Sequence, residues 1–260
     1  MPSTGRGPRD RVPPGSTGPV LGRGLQILGA FDASRPAMTL SEIARHTAMP
    51  VSTVHRLLGA LVAWGALERA EDGTYRIGLR LWEIGSLAPR SQALRDRALP
   101  FLEDLSQVSR ENVQLAVREG TELVFLERIA GTGAVPVLTR VGGRFALTST
   151  GVGLVLLAHA PPEVQEEVLA RPVEALTPYT VTDPARLRGM LADTRTRGFS
   201  VSDRQVTDDA LSVAAPVHDH AGRVVAAVSL VVHAGSVPAR QLATPVRTTA
   251  RAISRALGAP

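Results

Sequence analysis

One stretch of the sequence places hydroxyl, imidazole and guanidinium groups along the polar side of an apolar helix pattern. In MPVSTVHRLLGALVAWGAL, apolar residues recur at spacings of three, four and seven, which is typical of an amphipathic helix. Ser52, Thr53, His55 and Arg56 fall outside the apolar stripe. Hydroxyls can bond phosphates or base edges, and arginine can bind guanine O6 and N7 together. The alternative is an ordinary solvated helix face.

The elements around this helix favour the nucleic-acid interpretation. Before it, TLSEIARHT pairs Thr39 with Glu42, a capping box that begins a short helix, and AMP then makes a tight turn. VLGRGLQILGAFD predicts a helix further upstream, and ALERAEDGTYRIG predicts a hairpin around Asp72-Gly73. This order predicts a winged helix-turn-helix whose third helix enters a DNA major groove. We expect its apolar stripe to be buried, namely Val51, Val54, Leu57, Leu58, Leu61 and Val62.

The rest of the chain predicts a linker and an α+β domain. The segment 79–109 has helical spacing with interruptions at Pro89 and near Pro100. Beyond it, NVQLAVREGTELVFLERI predicts a hairpin, and three later alternating segments predict further strands with helical stretches between them. The predicted organisation is a disordered tail (1–19), a winged helix-turn-helix (20–80), a linker helix (81–99) and an α+β domain (100–260).

Composition excludes several classes of protein. The 260 residues are 44% apolar and contain no cysteine, which excludes disulfides, thiolate zinc sites and cysteine nucleophiles. All 29 basic residues are arginine, so P-loop and Schiff-base lysine chemistry are excluded too. No apolar run has the length of a membrane span, and the N-terminus does not look like a signal peptide. We therefore expect a cytoplasmic protein with no membrane partner.

Charge is unevenly distributed along the chain. Residues 1–99 hold 13 arginines against 8 acidic residues, whereas residues 100–260 hold 16 of each. A basic N-terminal part joined to a neutral part suggests a polyanion-binding module. Arg6, Arg9 and Arg11 of the tail could touch DNA phosphates or could simply be solvated.

Other motifs do not form convincing sites. His218-Asp219-His220 is a poor metal clamp, because adjacent strand residues point to opposite faces. GTGAV at 131–135 lacks the third glycine of a dinucleotide fingerprint, and no serine lies in a G-x-S-x-G elbow. Asp208-Asp209 is more typical of a solvated loop than of a catalytic pair. We expect no catalytic residues, no metal and no cofactor.

The chain resembles the IclR family of bacterial transcription regulators from about residue 20 to its end. The matching stretches, in the family's order, are GRGLQIL, LSEIARHTAMPVSTVHRLLGALVAWG, YRIGLRL, VGGRFALTSTGVGLVLLA, LTPYTVTDPARL, TRTRGFSVSDRQ and LSVAAPVHDHAGRVVAAVSL. The resemblance implies an N-terminal DNA-binding domain, a linker helix and a C-terminal α+β ligand-sensing domain with an antiparallel sheet. It also implies a homodimer or homotetramer that responds to a small organic effector.

The same resemblance implies which residues bind. The recognition helix would contact a double-stranded, palindromic operator, and the wing with Arg69 and Arg76 would lie along the backbone or minor groove. The stretch ALTSTGVGL offers loop N–H groups and hydroxyls for a polar or anionic effector. The implied effector-binding residues are Val137, Phe145, Ser149, Gly151, Val152, Gly153, Ser202, Asp203, Ser212 and Ser229.

Four positions depart from the family pattern. Ala48 stands where the family usually has glycine, and a left-handed alanine costs about 1 kcal/mol. Leu154, Gln205 and Asp209 replace the usual lysine, glutamate and glycine. The departures at Leu154, Gln205 and Asp209 leave open a DNA-binding oligomeric regulator without a ligand. A separate alternative is an enzyme fused to a helix-turn-helix, although the second domain shows no nucleophile-base pair at recognisable spacing.

Overall fold

The computed structural model describes residues 20–32 and 34–259. This part of the chain divides into two compact units, residues 20–92 and residues 93–259. The tail expected to be disordered, residues 1–19, lies outside the described residues. Among the helices described, none is both long and apolar enough to cross a bilayer.

The first unit is a winged helix-turn-helix. It contains three helices and an antiparallel sheet with the strand order β1-β3-β2, in which a short strand from between the first two helices joins the predicted hairpin. A fourth helix follows the sheet. The elements are α1 (Val20–Leu28), β1 (Ala37–Met38), α2 (Leu40–Thr47), α3 (Val51–Trp64), β2 (Leu67–Arg69), β3 (Tyr75–Ile77) and α4 (Leu79–Gly85).

Local sequence signals explain where these elements begin and turn. The Thr39 hydroxyl accepts from the Glu42 backbone N–H, and the Glu42 carboxylate accepts from the Thr39 N–H at 2.8 Å, so the predicted capping box starts α2. Ala48 ends α2 with φ 54°, the left-handed conformation expected from the family comparison. The Asp72 side chain accepts from the Thr74 N–H at 2.9 Å and shapes the turn of the hairpin.

The buried side of α3 is narrower than predicted. Val54, Leu57 and Leu58 are buried in a core shared with α1, α2 and the sheet. Val51, expected to be buried, is the first residue of the helix and is 52% exposed.

The segment 79–109 forms two helices, with the predicted interruption just before Pro89. α4 ends at Gly85, and α5 (Pro89–Ser109) begins after three intervening residues. Pro89 is tolerated at a helix start because its missing N–H has no intrahelical acceptor there. Pro100, expected to interrupt the helix, lies inside it. Burial of Ala98 and Leu102 on either side holds the helix against the core.

The second unit contains a six-stranded antiparallel sheet with the order β6-β5-β4-β9-β8-β7. The predicted hairpins are present, with Gly120 and Gly222 in left-handed turns. The C-terminal helix was not anticipated from the sequence. The elements are β4 (Asn112–Glu119), β5 (Glu122–Ile129), β6 (Arg144–Ala146), α6 (Gly151–Ala158), α7 (Pro162–Leu169), α8 (Pro184–Arg197), β7 (Ser200–Asp203), β8 (Ala210–His218), β9 (Val224–His233) and α9 (Ala239–Ala256).

The two faces of this sheet bury different sets of side chains. One face packs against α5 and α9, with Leu115, Val213 and Leu230 fully or almost fully buried. The other packs against α6, α7 and α8, and includes Phe125 and Ala214. Every residue of α6 is buried, so this helix is apolar all round and central to the second core.

The sheet curls so that its two edge strands approach each other. Phe145 of β6 pairs with Leu123, while Ser149, four residues later, accepts a hydrogen bond of 2.6 Å from Ser202 of β7. Four extended residues span about 14 Å at most. Five strand spacings in a flat sheet would separate these edges by about 24 Å. The curled sheet therefore wraps around the start of α6.

Candidate functional site

The polar face of α3 is the candidate DNA-reading surface. Ser52, His55 and Arg56 are exposed, and Thr53 is half-buried. All four lie within the first six residues of α3, the part that enters a major groove in helix-turn-helix proteins. The structure thus brings together the four predicted residues of the recognition helix.

The wing carries its two predicted arginines on opposite faces. Arg69 pairs with Tyr75, and its guanidinium lies 5.8 Å from the centre of that ring. Arg76 pairs with Glu68, the next position along the ladder. Adjacent ladder positions point to opposite sides of a sheet. The two arginines therefore do not form one surface of the wing.

A group of serines surrounds the start of α6. Ser202 donates to the carbonyl oxygen of Ser149 at 2.6 Å, and Ser200 donates to that of Gly151 at 2.7 Å. Ser212 pairs with Ser202 on the neighbouring strand and so faces the same side. Thr150 caps the helix by accepting from the Gly153 N–H at 3.0 Å. The predicted residues Ser149, Gly151, Val152, Gly153, Ser202 and Ser212 are thus brought together.

The expected exposed loop at Ser149–Gly153 is in fact the buried start of α6. A Cβ on Gly151 would lie 2.6 Å from Ser212 Oγ, and one on Gly153 would lie 2.6 Å from the carbonyl oxygen of Leu147. Both glycines therefore allow close contact with the protein's own chain. This contact explains them without any ligand.

Two predicted pocket residues lie apart from the serines. Asp203 is exposed, points to the opposite face of β7 from Ser202, and forms an ion pair with Arg204 at 3.1 Å. Phe145 belongs to the other edge strand, where it packs edge-to-face against Phe125 at 6.4 Å. Neither residue joins the serine group in this structure.

Two amide side chains of β4 form a polar network that the sequence analysis missed. Asn112 donates to the carbonyl oxygen of Val135 at 2.7 Å and accepts from Arg128 at 3.0 Å. Gln114 donates to Thr139 Oγ1 at 2.6 Å and lies 3.3 Å from the hydroxyl of Ser229, a predicted pocket residue. The sequence signal for this network was an amide side chain at each of two alternate positions, 112 and 114, of an otherwise apolar strand.

These bonds hold a strap of residues 135–139, which forms one wall of a cleft of about 800 Å³. Val137, predicted as an apolar pocket residue, lies in this wall. The lining also includes Tyr179 and Thr207, and the Thr207 hydroxyl is enclosed without a hydrogen-bond partner among the described residues. The other lining residues are Pro136, Leu138, Pro178, Asp208 and Asp209.

A cation lies beside this cleft but is already neutralised. The Arg204 guanidinium lies 4.1 Å from the centre of the Tyr179 ring and donates to both oxygens of Asp203. The hydrogen bond to Asp203, opposed by desolvation, raises the pKa of Arg204 above its ordinary value. Arg204 therefore remains a paired cation and braces the aromatic wall.

Two departures from the family pattern have structural explanations. Leu154 is completely buried in the α6 core, where an unpaired lysine ammonium could not be solvated. Gln205 is also buried, and its side-chain oxygen accepts from the Val181 N–H at 3.1 Å. Thr180 donates to the Gln205 carbonyl at 2.8 Å, so this residue anchors the loop that carries Tyr179.

Comparison with protein families identifies both parts of the chain. Residues 20–71 match the IclR helix-turn-helix domain, and residues 88–255 match the bacterial transcriptional regulator IclR C-terminal domain. Together these matches cover both the candidate DNA-reading surface and the effector-site candidates.

Similar proteins are regulators of the same architecture. The HTH-type transcriptional regulator XynR of Escherichia coli (strain K12) is 31% identical over 243 residues, which is 92% of this chain and 96% of that protein. The regulator BhcR of Paracoccus denitrificans (strain Pd 1222) is 34% identical over 81% of this chain and 76% of that protein. Both are DNA-binding regulators by name.

A solved structure gives a liganded comparison. An IclR homolog complexed with 4-hydroxybenzoate from Microbacterium hydrocarbonoxydans has a TM-score of 0.86 and 40% sequence identity. The similarity covers 92% of this chain and 99% of that one. This protein is a DNA-binding transcriptional regulator with the helix-turn-helix and C-terminal domains of that family. Its chain belongs to the IclR family of bacterial transcription regulators.

Proposed function

We propose that α3 reads the operator through Ser52, Thr53, His55 and Arg56. Their exposure at the N-terminal turns of the recognition helix supports this assignment. Arg56 has the length and the donors to bind a guanine or clamp a phosphate. We propose a backbone or minor-groove contact for the wing, and because Arg69 and Arg76 lie on its opposite faces, only the one that faces the duplex makes it.

We propose that the effector is a small aromatic acid and use 4-hydroxybenzoate as its probe. The observation that carries this proposal is the serine-lined start of α6, in a domain that also contains a cleft with apolar and aromatic lining. The first N–H groups of a helix have no intrahelical acceptor and favour an anion. The carboxylate would be bound by the N–H groups of Gly151 and Val152 with the hydroxyls of Ser149 and Ser212.

The remaining predicted pocket residues have structural roles around the proposed effector site. Val137 contributes to the apolar wall, Gly153 allows the tight start of α6, and Ser202 and Ser229 hold neighbouring parts of the site. Asp203 and Phe145 are excluded from direct contact because of their positions on the sheet. The structural roles of Leu154 and Gln205 weaken the alternative of a regulator without a ligand.

We propose that residues 20–80 bind DNA, that residues 81–99 connect the domains, and that residues 100–260 bind the effector and assist oligomerisation. A homodimer or homotetramer on a palindromic operator suits a winged domain that covers one half-site. Exposed apolar residues on α1 and α4 and just beyond α4 support a paired surface, namely Leu21, Leu25, Leu79, Trp82 and Leu87.

The test is a titration of labelled operator DNA with the full chain, with and without 4-hydroxybenzoate. The duplex is the promoter region beside the protein's own gene, and a scrambled duplex of equal length is the control. We expect specific binding that 4-hydroxybenzoate shifts by at least fivefold, because typical allosteric coupling is about 1–3 kcal/mol. Specific binding that no benzoate changes would contradict the effector assignment but not the DNA-binding function.

A further inference from the structure

The C-terminal helix α9 concentrates positive charge in one element of the second unit. Residues 100–260 hold 16 arginines and 16 acidic residues, but residues 220–260 hold five arginines and no acidic residue. Four of these five arginines lie on α9, namely Arg240, Arg247, Arg251 and Arg255. The neutral total of this part of the chain therefore combines an excess of acidic residues before position 220 with a basic C-terminal helix.

The arginines of α9 share the side of the helix that the sheet does not cover. The buried side packs on β8 and β9 through Leu242, Val246, Ala250 and Ile253. At 3.6 residues per turn, the four arginines fall within about 80° of one another around the helix axis. Arg240, Arg251 and Arg255 are exposed, and two exposed hydroxyls, those of Thr244 and Thr248, lie between them.

Arg247 differs from the other three because it also lies against α8. It is half-buried, and a Cβ on Gly198, at the C-terminal end of α8, would lie 3.9 Å from its Nε. The C-terminal end of a helix favours a cation. Arg247 therefore has a structural role, and the basic face of α9 is defined here as Arg240, Arg251 and Arg255 with Thr244 and Thr248.

This charge pattern disfavours the helix that carries it. Arg251 lies four residues from both Arg247 and Arg255, and like charges at this spacing destabilise a helix. Arg240 lies in the second position of α9, where the helix dipole favours an anion. No residue of α9 is acidic, so the helix contains no partner for these charges.

The neighbouring helix α8 shows the ordinary arrangement. There Arg197 pairs with Asp193 at 3.0 Å, and Arg188 pairs with Glu166 at 2.7 Å. Among the residues that the structure describes, none of the three arginines of the basic face takes part in an ion pair. A sequence that departs from local electrostatic preference in this way is typical of a functional surface.

We propose that the basic face of α9 binds the phosphate backbone of DNA outside the sequence that α3 reads. Duplex DNA is the polyanion that this regulator binds, and it carries one negative charge per about 1.7 Å of its axis. From Arg240 to Arg255 the helix rises about 22 Å. Arginine and threonine side chains are common donors to phosphate oxygens. Because phosphates carry no sequence information, this contact adds affinity and salt dependence without sequence preference.

The test compares wild type with Arg240→Gln/Arg251→Gln/Arg255→Gln on two operator duplexes, with the full chain in each case. The short duplex contains only the base pairs whose mutation weakens binding. The long duplex adds about 20 base pairs, or about 68 Å, on each side. Anisotropy titrations at several salt concentrations give the affinity and its salt dependence.

We expect the glutamine variant to bind the long duplex at least tenfold more weakly than wild type does. Each phosphate contact contributes about 0.9 to the slope of log affinity against log salt concentration, so this slope should become shallower by about 2–3. Affinity for the short duplex should change less than twofold. The thermal midpoint should stay level or rise, because two of the like charges that disfavour α9 are removed near Arg247.

Arg186→Gln/Arg188→Gln/Arg197→Gln is the matched control. It removes the same charge from exposed positions of α8 and should leave both affinities close to those of wild type. A second control replaces the three arginines of the basic face by lysine. This variant should retain most of the affinity for the long duplex, since lysine binds phosphate as a point charge.

Two results would overturn the proposal. Equal losses in the α8 and α9 glutamine variants would show that only the total charge matters. A glutamine variant of α9 that binds the long duplex as wild type does would exclude DNA from the basic face and leave an acidic protein surface as its occupant. In either case binding to the short duplex still measures the recognition helix, so the DNA-binding function is tested separately.

Discussion

Gly151 and Ser212 meet so closely that a side chain on the glycine has no space. A Cβ on Gly151 would lie 2.6 Å from Ser212 Oγ and 3.3 Å from the Cβ of Ala214. The start of α6 therefore packs directly against β8. Any change at this contact alters both the core and the serine group proposed to bind the effector.

Gly151→Ala should destabilise the protein by about 1–3 kcal/mol, the usual range for overpacking a buried site. It should also lower the affinity for 4-hydroxybenzoate, while the DNA-binding unit keeps its fold. Urea unfolding and calorimetry measure the two effects.

Gly189→Ala is the matched control for that substitution. A Cβ on Gly189 would meet no atom within 4 Å, and the residue lies inside α8. Alanine should stabilise this helix by about 0.5–1 kcal/mol. Equal stability changes in the two variants would show that the contact between Gly151 and Ser212 is not close in solution.

The sequence predicted those features that depend on local chemistry. The capping box of Thr39 and Glu42, the hairpin at Asp72-Gly73 and the alternation of β8 each follow from residues close together in the chain. The recognition helix was predictable for the same reason, because its apolar spacing separates a buried face from a polar one.

Features that depend on distant contacts were not predictable. Pro100 reads as a helix interruption, but burial of the residues around it keeps α5 continuous. The glycines of α6 suggest a ligand until Ser212 of β8 is found against Gly151 and the Leu147 carbonyl against Gly153. Asn112 and Gln114 are ordinary polar residues in the sequence, and only the strap gives them their roles.

Arg56→Ala should weaken specific operator binding by about 1–3 kcal/mol, the range expected for loss of one base-reading arginine. Because Arg56 is exposed, the thermal midpoint should not change. Anisotropy titration at fixed salt provides the measurement. Arg186→Ala, an exposed position on α8, controls for loss of one positive charge. Identical affinities for the two variants would contradict the role of Arg56.

Gln114→Leu should loosen the strap that forms one wall of the cleft. The substitution removes the partners of Thr139 and Ser229, so we expect a loss of about 1–3 kcal/mol in unfolding free energy. Effector affinity should fall with it. Gln165→Leu, which removes a 2.8 Å bond to the Ala160 carbonyl at the far end of α6, should affect stability but not effector binding.

Asp32 should make the first unit sensitive to acid. Burial would raise its pKa, but hydrogen bonds from Ser34 and Arg35 and the charge of Arg35 outweigh burial and lower the pKa from 3.8 to about 2. A lowered pKa stabilises the folded state above pH 3.8, and this stabilisation is lost as the pH falls toward 2. Because the Asp32 side chain is about one-third exposed, we expect this stabilisation of the folded state to be about 1 kcal/mol.

Thermal melts of wild type and Asp32→Asn between pH 6 and pH 2 measure this contribution. The midpoints should differ at pH 6 and converge near pH 2, since the protonated carboxyl no longer pairs with Arg35. A difference that stays constant over this range would mean that the ion pair does not contribute to the acid response.

Trp82→Glu should separate the subunits of the proposed oligomer. Trp82 is 70% exposed in the described chain, and no residue of α4 is buried, so a charge at this position should leave the fold intact. A helix with an exposed Trp82 and with Leu87 just beyond it is typical of a surface that a partner covers. Sedimentation at micromolar concentration should show a dimer or tetramer for wild type and smaller species for the variant. Operator affinity should fall as well, because two linked half-site contacts bind more tightly than one.

Val108→Glu is the matched control, since Val108 is 87% exposed at an isolated apolar position of α5. A monomeric wild type, or a Trp82→Glu variant that assembles as wild type does, would contradict the role of this surface.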